Sequence, residues 1–150
     1  MKPLEFYVTA VWDAEAGVWV SESDIIGLHV EAASLEEFEA AAAELGPQLI
    51  VENHITKRDL AQRSLSELIP WIKFHTPLTG GAPRRFDVVK GYYDEVVRLL
   101  REAGYYRDGG SKHQKWCHDD GKPTVTVPHK ILSRHTANGI LKDAGIVKKL

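Results

Sequence analysis

Four residues in one short stretch, Ser111, Lys112, His113 and Lys115, carry side chains suited to phosphate chemistry. An imidazole titrates near pH 6.5 (roughly), so His113 can take or give a proton at neutral pH. A hydroxyl and two ammonium groups beside it can hold an anion and stabilise charge that builds up on it. The chain from Ser111 to His118 reads as extended, and strand alternation puts His113, Lys115 and Cys117 on one face. Gln114, Trp116 and His118 take the other, and Trp116 is the residue to bury against helices. His113 and Lys115 are then expected on the open face, with Ser111 and Lys112 at the strand's start. A strand histidine on its own is more often structural than chemical, so spacing alone does not decide its role.

The other histidines rank lower. His129 follows Pro128 at a strand end and is an accessory candidate, able to orient a loop or touch a ligand. Cys117, His118, Asp119 and His129 have side chains that suit zinc, but their spacing matches no standard ligand set and alternation parts Cys117 from His118. No metal site and no cofactor is expected. Cys117 is the only cysteine, which excludes an intrachain disulfide. His29, His54 and His75 look incidental.

Charge divides the chain. Residues 1–80 hold 5 Lys and Arg against 13 Asp and Glu, whereas residues 81–150 hold 14 against 8. The division falls at Pro77-Leu-Thr-Gly-Gly-Ala-Pro83, a charge-free run of turn-formers that reads as a linker. The expected organisation is a domain over 1–76, a linker over 77–87 and a second domain over 88–150. A basic half calls for a polyanionic partner, and an acidic half beside it can dock onto it. No apolar run approaches the roughly 20 residues that span a bilayer, so no membrane partner is expected and the cytoplasm is the expected location.

The elements follow from periodicity. Leu4 to Trp12 alternates with period two, Asp13 to Gly17 turns, and Val18 to Ser21 resumes as a second strand. Leu28 to Glu31 gives a short third strand. Ser34 and Glu37 form a capping box for a helix whose inner face is Leu35, Phe38, Ala42, Leu45 and Leu49. Gly46-Pro47 is expected to break or kink it. Leu68 to Phe74 reads as a last strand, and Pro70 places it at an edge or marks its start. In the basic half, Tyr92 to Ala103 is a helix with Tyr93, Val96, Leu100 and Ala103 as its stripe and Gly104 as its stop. Strands at Tyr105-Tyr106, Ser111–His118 and Thr124–Val127 follow, the last two joined by Asp119-Asp120-Gly121-Lys122. Thr136 to Ala144 is a closing helix. The fold class is α+β in both halves, β-β-β-α-β and then α-β-β-β-α.

The acidic half resembles HicB antitoxins of the partial RNase-H-like, DUF1902 type, over roughly residues 4–76. The likeness rests on Val11-Trp-Asp-Ala-Glu-Ala-Gly-Val-Trp-Val20, on Ser23-Asp-Ile-Ile-Gly-Leu28 and on Glu31-Ala-Ala-Ser-Leu-Glu-Glu37. Ile26 stands where the family has proline. Asp13, Glu15 and Asp24 sit in turns and form no catalytic carboxylate cluster, and no helix-turn-helix or ribbon-helix-helix fits before the linker, so DNA is not an expected partner. The basic half resembles HicA toxins, which have a double-stranded-RNA-binding-like fold, over about residues 90–147. Its motifs are Leu99-Leu-Arg-Glu-Ala-Gly-Tyr105, Gly110-Ser-Lys-His113, Asp119-Asp-Gly-Lys122, Val125-Thr-Val-Pro-His129 and Thr136–Ile146. Arg134-His135 departs from the glycine that usually opens the last helix; His135 either alters the helix start or adds a positive group near RNA.

This second resemblance implies that His113 is the catalytic residue of a metal-independent mRNA endoribonuclease, removing the proton from a 2′-hydroxyl that attacks its own phosphorus. Ser111, Lys112 and Lys115 are then RNA contacts. The pair of resemblances implies an antitoxin-like domain that masks the toxin in cis, or in trans from another copy as a homo-oligomer. The alternative is a non-catalytic double-stranded-RNA-binding module with an accessory protein-interaction domain.

Overall fold

The computed structural model describes residues 4–75 and 91–150, so the expected linker at 77–87 lies outside the described residues. In the first half, β1 (Glu5–Asp13) and β2 (Val18–Ser23) form an antiparallel hairpin in the register Val8↔Ser23 to Asp13↔Val18. Asp13 makes the turn, its carbonyl accepting Gly17 N–H at 2.7 Å and its carboxylate Ala16 N–H at 3.1 Å. β3 is shorter than its apolar run suggests, only Glu31–Ala32. The Ser21 hydroxyl takes Val30 N–H at 2.9 Å, and His29 N–H is drawn instead to Thr126 of the other half, so a continuous ladder cannot form there.

Helix α1 (Leu35–Asn53) starts on Ser34, whose Oγ accepts Glu37 N–H at 3.2 Å. Of the break or kink expected there, the break does not occur: α1 continues through Pro47. Ala43, whose carbonyl loses its donor, and Pro47 both lie on the exposed side, where water can serve that carbonyl, while Phe38, Ala42, Leu45, Leu49 and Ile50 hold the buried side together on either flank. Each large side chain buried there contributes roughly 1.5–3 kcal/mol. Two short helices follow that periodicity does not announce, α2 (Lys57–Gln62) and α3 (Leu65–Leu68), each opened by a capping box, Thr56 with Asp59 and Ser64 with Glu67. β4 (Trp71–His75) begins immediately after Pro70 and pairs parallel with β1 at the sheet edge, giving the order β3-β2-β1-β4.

The second half is α4 (Tyr93–Glu102), β5 (Tyr106–Arg107), β6 (His113–Cys117), β7 (Val125–Pro128) and α5 (Arg134–Asp143). Its sheet is antiparallel in the order β5-β6-β7. Trp116 is fully buried among Val96, Leu100, Val125, Val127, Ile131, Ile140 and Leu141, the inward orientation that strand alternation requires. Gln114, on the same face, is buried but satisfied, its carbonyl accepting from Tyr93 Oη at 2.9 Å and Trp116 Nε1 at 3.1 Å. α5 begins at Arg134 because Ser133 caps it, its Oγ accepting Thr136 N–H. Both halves are α+β, as the sequence indicates.

Candidate functional site

β6 presents His113 and Lys115 on the face opposite Trp116, and the chain before it folds back to shape the approach. Gly110 has φ of +87°, and a side chain there would drive Cβ to 2.2 Å from the His113 carbonyl. Arg107 donates to Gly110 O at 2.6 Å, and Lys112 O accepts both His129 N–H at 2.9 Å and a contact from its Nδ1 at 3.2 Å. His113 lies opposite Pro128 in the β6–β7 register, so His129, the residue that follows β7, stands beside the start of β6. All four residues of the stretch, with His129, line one cleft of about 720 Å³.

The far wall of that cleft comes from the first half. Ala40, Ala41, Glu44 and Gln48 of α1, with Glu31 at β3, face Ser111, Lys112, His113 and Lys115. The open face expected for β6 is therefore covered. His113 Nε2 is buried without a hydrogen-bond partner, and burial, with smaller contributions from His129 and Lys112, pushes its pKa down to about 4. Lys115 is ion-paired to Glu52 near the end of α1. Ser111 and Lys112 remain exposed on the rim.

Further contacts join the halves around this cleft. Gly27 O accepts Thr126 N–H at 2.9 Å, and Asn53 meets Thr124 twice, donating from Nδ2 to its carbonyl at 2.8 Å and accepting its N–H at 2.9 Å. Gly27 has φ of +88°, and any Cβ there would lie 2.0 Å from Thr124 O. Asp143, at the end of α5, accepts Gly27 N–H and meets His29 Nε2, each at 2.8 Å. Burial raises its pKa, but the His29 ring and the Gly27 amide outweigh that and hold the carboxyl below its ordinary range. Glu31 accepts Leu132 N–H and Ser133 N–H, both at 2.8 Å, and Ser133 Oγ donates to Asp13. Burial nevertheless pushes Glu31 above the usual carboxylate range.

These contacts correct two readings. His29 and His54 are not incidental: His29 bridges to Asp143, and His54 Nε2 accepts Ile26 N–H at 2.8 Å, holding the 25–27 corner that meets Thr124. Nothing in their spacing marks them, because their partners are far away in sequence. His135 does not reach the cleft; it is exposed on α5, 3.9 Å from Glu22 of the acidic half. The zinc-suited set also stays apart: His118 Nε2 is 2.9 Å from Ala103 O, and Cys117 Sγ is 3.7 Å from Thr124 Oγ1. Among the described residues no three His, Cys, Asp or Glu side chains gather in a metal-binding group.

With this geometry in hand, the family models agree with it half by half. Residues 93–146 match the model of the HicA toxin of bacterial toxin–antitoxin systems, and residues 5–65 match DUF1902, a domain of unknown function. The chain joins a DUF1902 domain to a HicA toxin domain. That arrangement is a toxin–antitoxin module, consistent with a HicB–HicA fusion, and HicA toxins as a family are mRNA-interferase endoribonucleases. The chain is also similar to a hypothetical protein of the extremely thermophilic bacterium Thermus thermophilus, known from a crystal structure. The two are 36% identical over 55% of this chain and 99% of that one, with a TM-score of 0.37. A search of curated proteins finds no significant match. Within the described residues no helix is long and apolar enough to cross a membrane.

Proposed function

We propose that the HicA domain, bounded by residues 88–150, is a metal-independent endoribonuclease with His113 as general base, and that the DUF1902 domain over 1–76 holds it inactive in the intact chain. The observation that carries this reading is the state of His113. Its Nε2 is buried and free of protein partners, and its half-buried ring lines a cleft whose far wall is α1. RNA supplies the nucleophile itself: a base takes the 2′-hydroxyl proton, the oxygen attacks phosphorus, and the 5′-oxygen leaves. Lys112 and Lys115 would offset the charge that builds on the phosphoryl oxygens, with Ser111 as a hydrogen-bonding neighbour and His129 as an accessory group.

Docking opposes every part of this. Glu52 takes Lys115 away from a phosphate, α1 walls one side of the cleft before the β6 face, and burial depresses the basicity of His113. The partner is thus mRNA, and the inhibitor is supplied by the same chain. The experiment is a comparison of RNA cleavage by residues 88–150 and by the intact chain. Strong cleavage by the fragment and weak cleavage by the whole chain are expected; equal rates would refute the masking, and no cleavage by a folded fragment would refute the enzyme.

A further inference from the structure

We propose that His129 is the general acid of the HicA domain, the group that gives a proton to the 5′-oxygen as it leaves phosphorus. This rests on the reading of the domain as an endoribonuclease with His113 as base, and adds the second proton that the reaction has to move.

The reaction sets the requirement. His113 takes the 2′-hydroxyl proton, a bond forms from the 2′-oxygen to phosphorus, and the bond from phosphorus to the 5′-oxygen breaks. That oxygen departs as an alkoxide, a far stronger base than imidazole, unless a proton reaches it as the bond breaks. The products are a 2′,3′-cyclic phosphate and a 5′-hydroxyl, with one proton gained by His113 and one lost by His129; exchange with water resets both. Among the described residues, the proton-bearing side chains on the HicA side of the cleft besides His113 are Ser111, Lys112, Lys115, His129 and Lys130. A hydroxyl is too weak an acid, and an ammonium titrates at about 10.4. An imidazole titrates at about 6.5 and is the better donor at neutral pH.

The setting of His129 suits the role. The Lys112 carbonyl accepts the His129 backbone N–H at 2.9 Å and meets Nδ1 at 3.2 Å. A carbonyl oxygen only accepts, so Nδ1 keeps its proton in both charge states and Nε2 is the nitrogen that gains and loses one. Lys112 precedes His113, so the residue that orients the acid is the chain neighbour of the base. An in-line displacement needs acid and base at opposite ends of the reacting bonds. The two rings come from different strand ends, His113 from the start of β6 and His129 from just past β7. His129 is exposed and can be recharged from solvent, whereas His113 Nε2 is buried. After burial itself, the charge of His129 lowers the pKa of His113 most, ahead of Lys112. A charged His129 therefore helps to keep His113 neutral, the pair of states from which acid and base must start.

The test is leaving-group rescue in the full chain carrying Gly27→Ala, whose added Cβ would lie 2.0 Å from Thr124 O and part the halves. A bond cut by that chain is mapped, and an oligoribonucleotide spanning it is made with either oxygen or sulfur as the bridging 5′ atom. A thiolate leaves without a proton. In single turnovers, adding His129→Ala should slow the oxygen substrate by roughly 10²–10⁴-fold, the span of general acid–base catalysis, and the sulfur substrate by less than about tenfold. His113→Ala should slow both substrates alike, because the 2′-hydroxyl still needs a base. His129→Asn separates chemistry from scaffolding: its amide can still donate to Lys112 O but has no proton to transfer, so it should be as slow as His129→Ala on the oxygen substrate. A sulfur substrate slowed as much as the oxygen one overturns the assignment. So does rescue of His113→Ala by sulfur, and so does either His129 variant cutting the oxygen substrate at the parent rate. Those outcomes leave the RNA-cleaving reading intact. If the Gly27→Ala chain cuts no RNA, the same comparison is made in residues 88–150, which contain every buried member of the Trp116 core; cleavage by neither protein refutes the ribonuclease reading and this assignment with it.

Discussion

Replacing Gly27 with alanine should release the HicA domain without touching its chemistry. The new Cβ would sit 2.0 Å from Thr124 O, where real contacts do not fall below 3.0 Å, so the Thr124 strand must retreat by at least 1.0 Å. Among the hydrogen bonds across that gap, three lie nearest the clash or share its strand: Thr126 N–H to Gly27 O at 2.9 Å, and the two Asn53–Thr124 bonds at 2.8 and 2.9 Å. Stretching them by that much takes them out of bonding range. At about 1 kcal/mol net for each neutral bond, docking weakens by about 3 kcal/mol, or on the order of 10²-fold. The strain of a positive φ at alanine, about 1 kcal/mol, falls on the DUF1902 domain whether docked or not. Hydrogen exchange at Thr124 and Thr126 should accelerate by about that docking factor, and RNA cleavage by the intact chain should rise toward the rate of residues 88–150. Unchanged exchange in a folded Gly27→Ala chain would refute the packing argument. Faster exchange without any gain in cleavage would refute the masking.

Three further outcomes are expected. In residues 88–150, His113→Ala should lower cleavage by roughly 10²–10⁴-fold with little change in RNA affinity, and EDTA should have no effect; products should end in 2′,3′-cyclic phosphate, and a 3′-hydroxyl end would instead indicate water as nucleophile. Lys112→Ala with Lys115→Ala should flatten the salt dependence of RNA binding by about two in log–log slope, about one per lost phosphate contact, as measured by titrations across salt concentrations. His113 should titrate near 4 in the intact chain and near 6.5 once released, read from its ring proton by NMR. Below about 6.5 the released histidine binds a proton that the docked one refuses, so docking is fully stable above that pH and loses stability as pH falls toward 4. A midpoint of 6.5 in the intact chain would refute it.

What the sequence made legible was local. The β1–β2 hairpin, the β6–β7 hairpin at Gly121, the α4 stop at Gly104 and the inward Trp116 all depend on neighbours a few residues away, and period-two and period-3.6 patterns carry that information. The two capping boxes at Thr56 and Ser64 are equally local signals, but no apolar stripe follows them to mark a helix. Pro47 misleads for a different reason: the proline rule treats the lost bond, whereas the core on both flanks and an exposed Ala43 carbonyl decide the outcome. His113, Lys115 and His129 are legible because a short motif holds them together. Glu31, Asn53, His29 and Glu52 are not, since each acts on a residue 60 or more positions away, and only the folded chain brings such pairs together.

The chemistry of the join explains how it can hold and still let go. Each half has its own apolar core, one built around Trp116 and the other around Phe38, and neither core draws its members from the other half. Among the described residues, Leu132 is an apolar side chain that crosses, packing on the small cluster of Ala16, Val18 and Val20. What otherwise joins the halves is polar: carboxylates on amides, an amide on a backbone, imidazole on carboxylate, ammonium on carboxylate. Because neither core spans the join, neither half must unfold for the two to part, which is what the proposed masking requires. Each polar group that separates can return to water, so the net strength of each contact is modest, about 1 kcal/mol for a neutral bond and somewhat more for a charged one. A join of this kind would be loose between independent chains at cellular concentrations. Covalent linkage changes that, because a short tether supplies an effective concentration on the order of millimolar. It follows that severing the chain anywhere in residues 77–87 should do more than any single contact mutation: the halves should stay associated at high concentration and part on dilution, with RNA cleavage rising as they do. A severed chain that remains inactive at nanomolar concentration would show the join to be far stronger than its polar contacts allow.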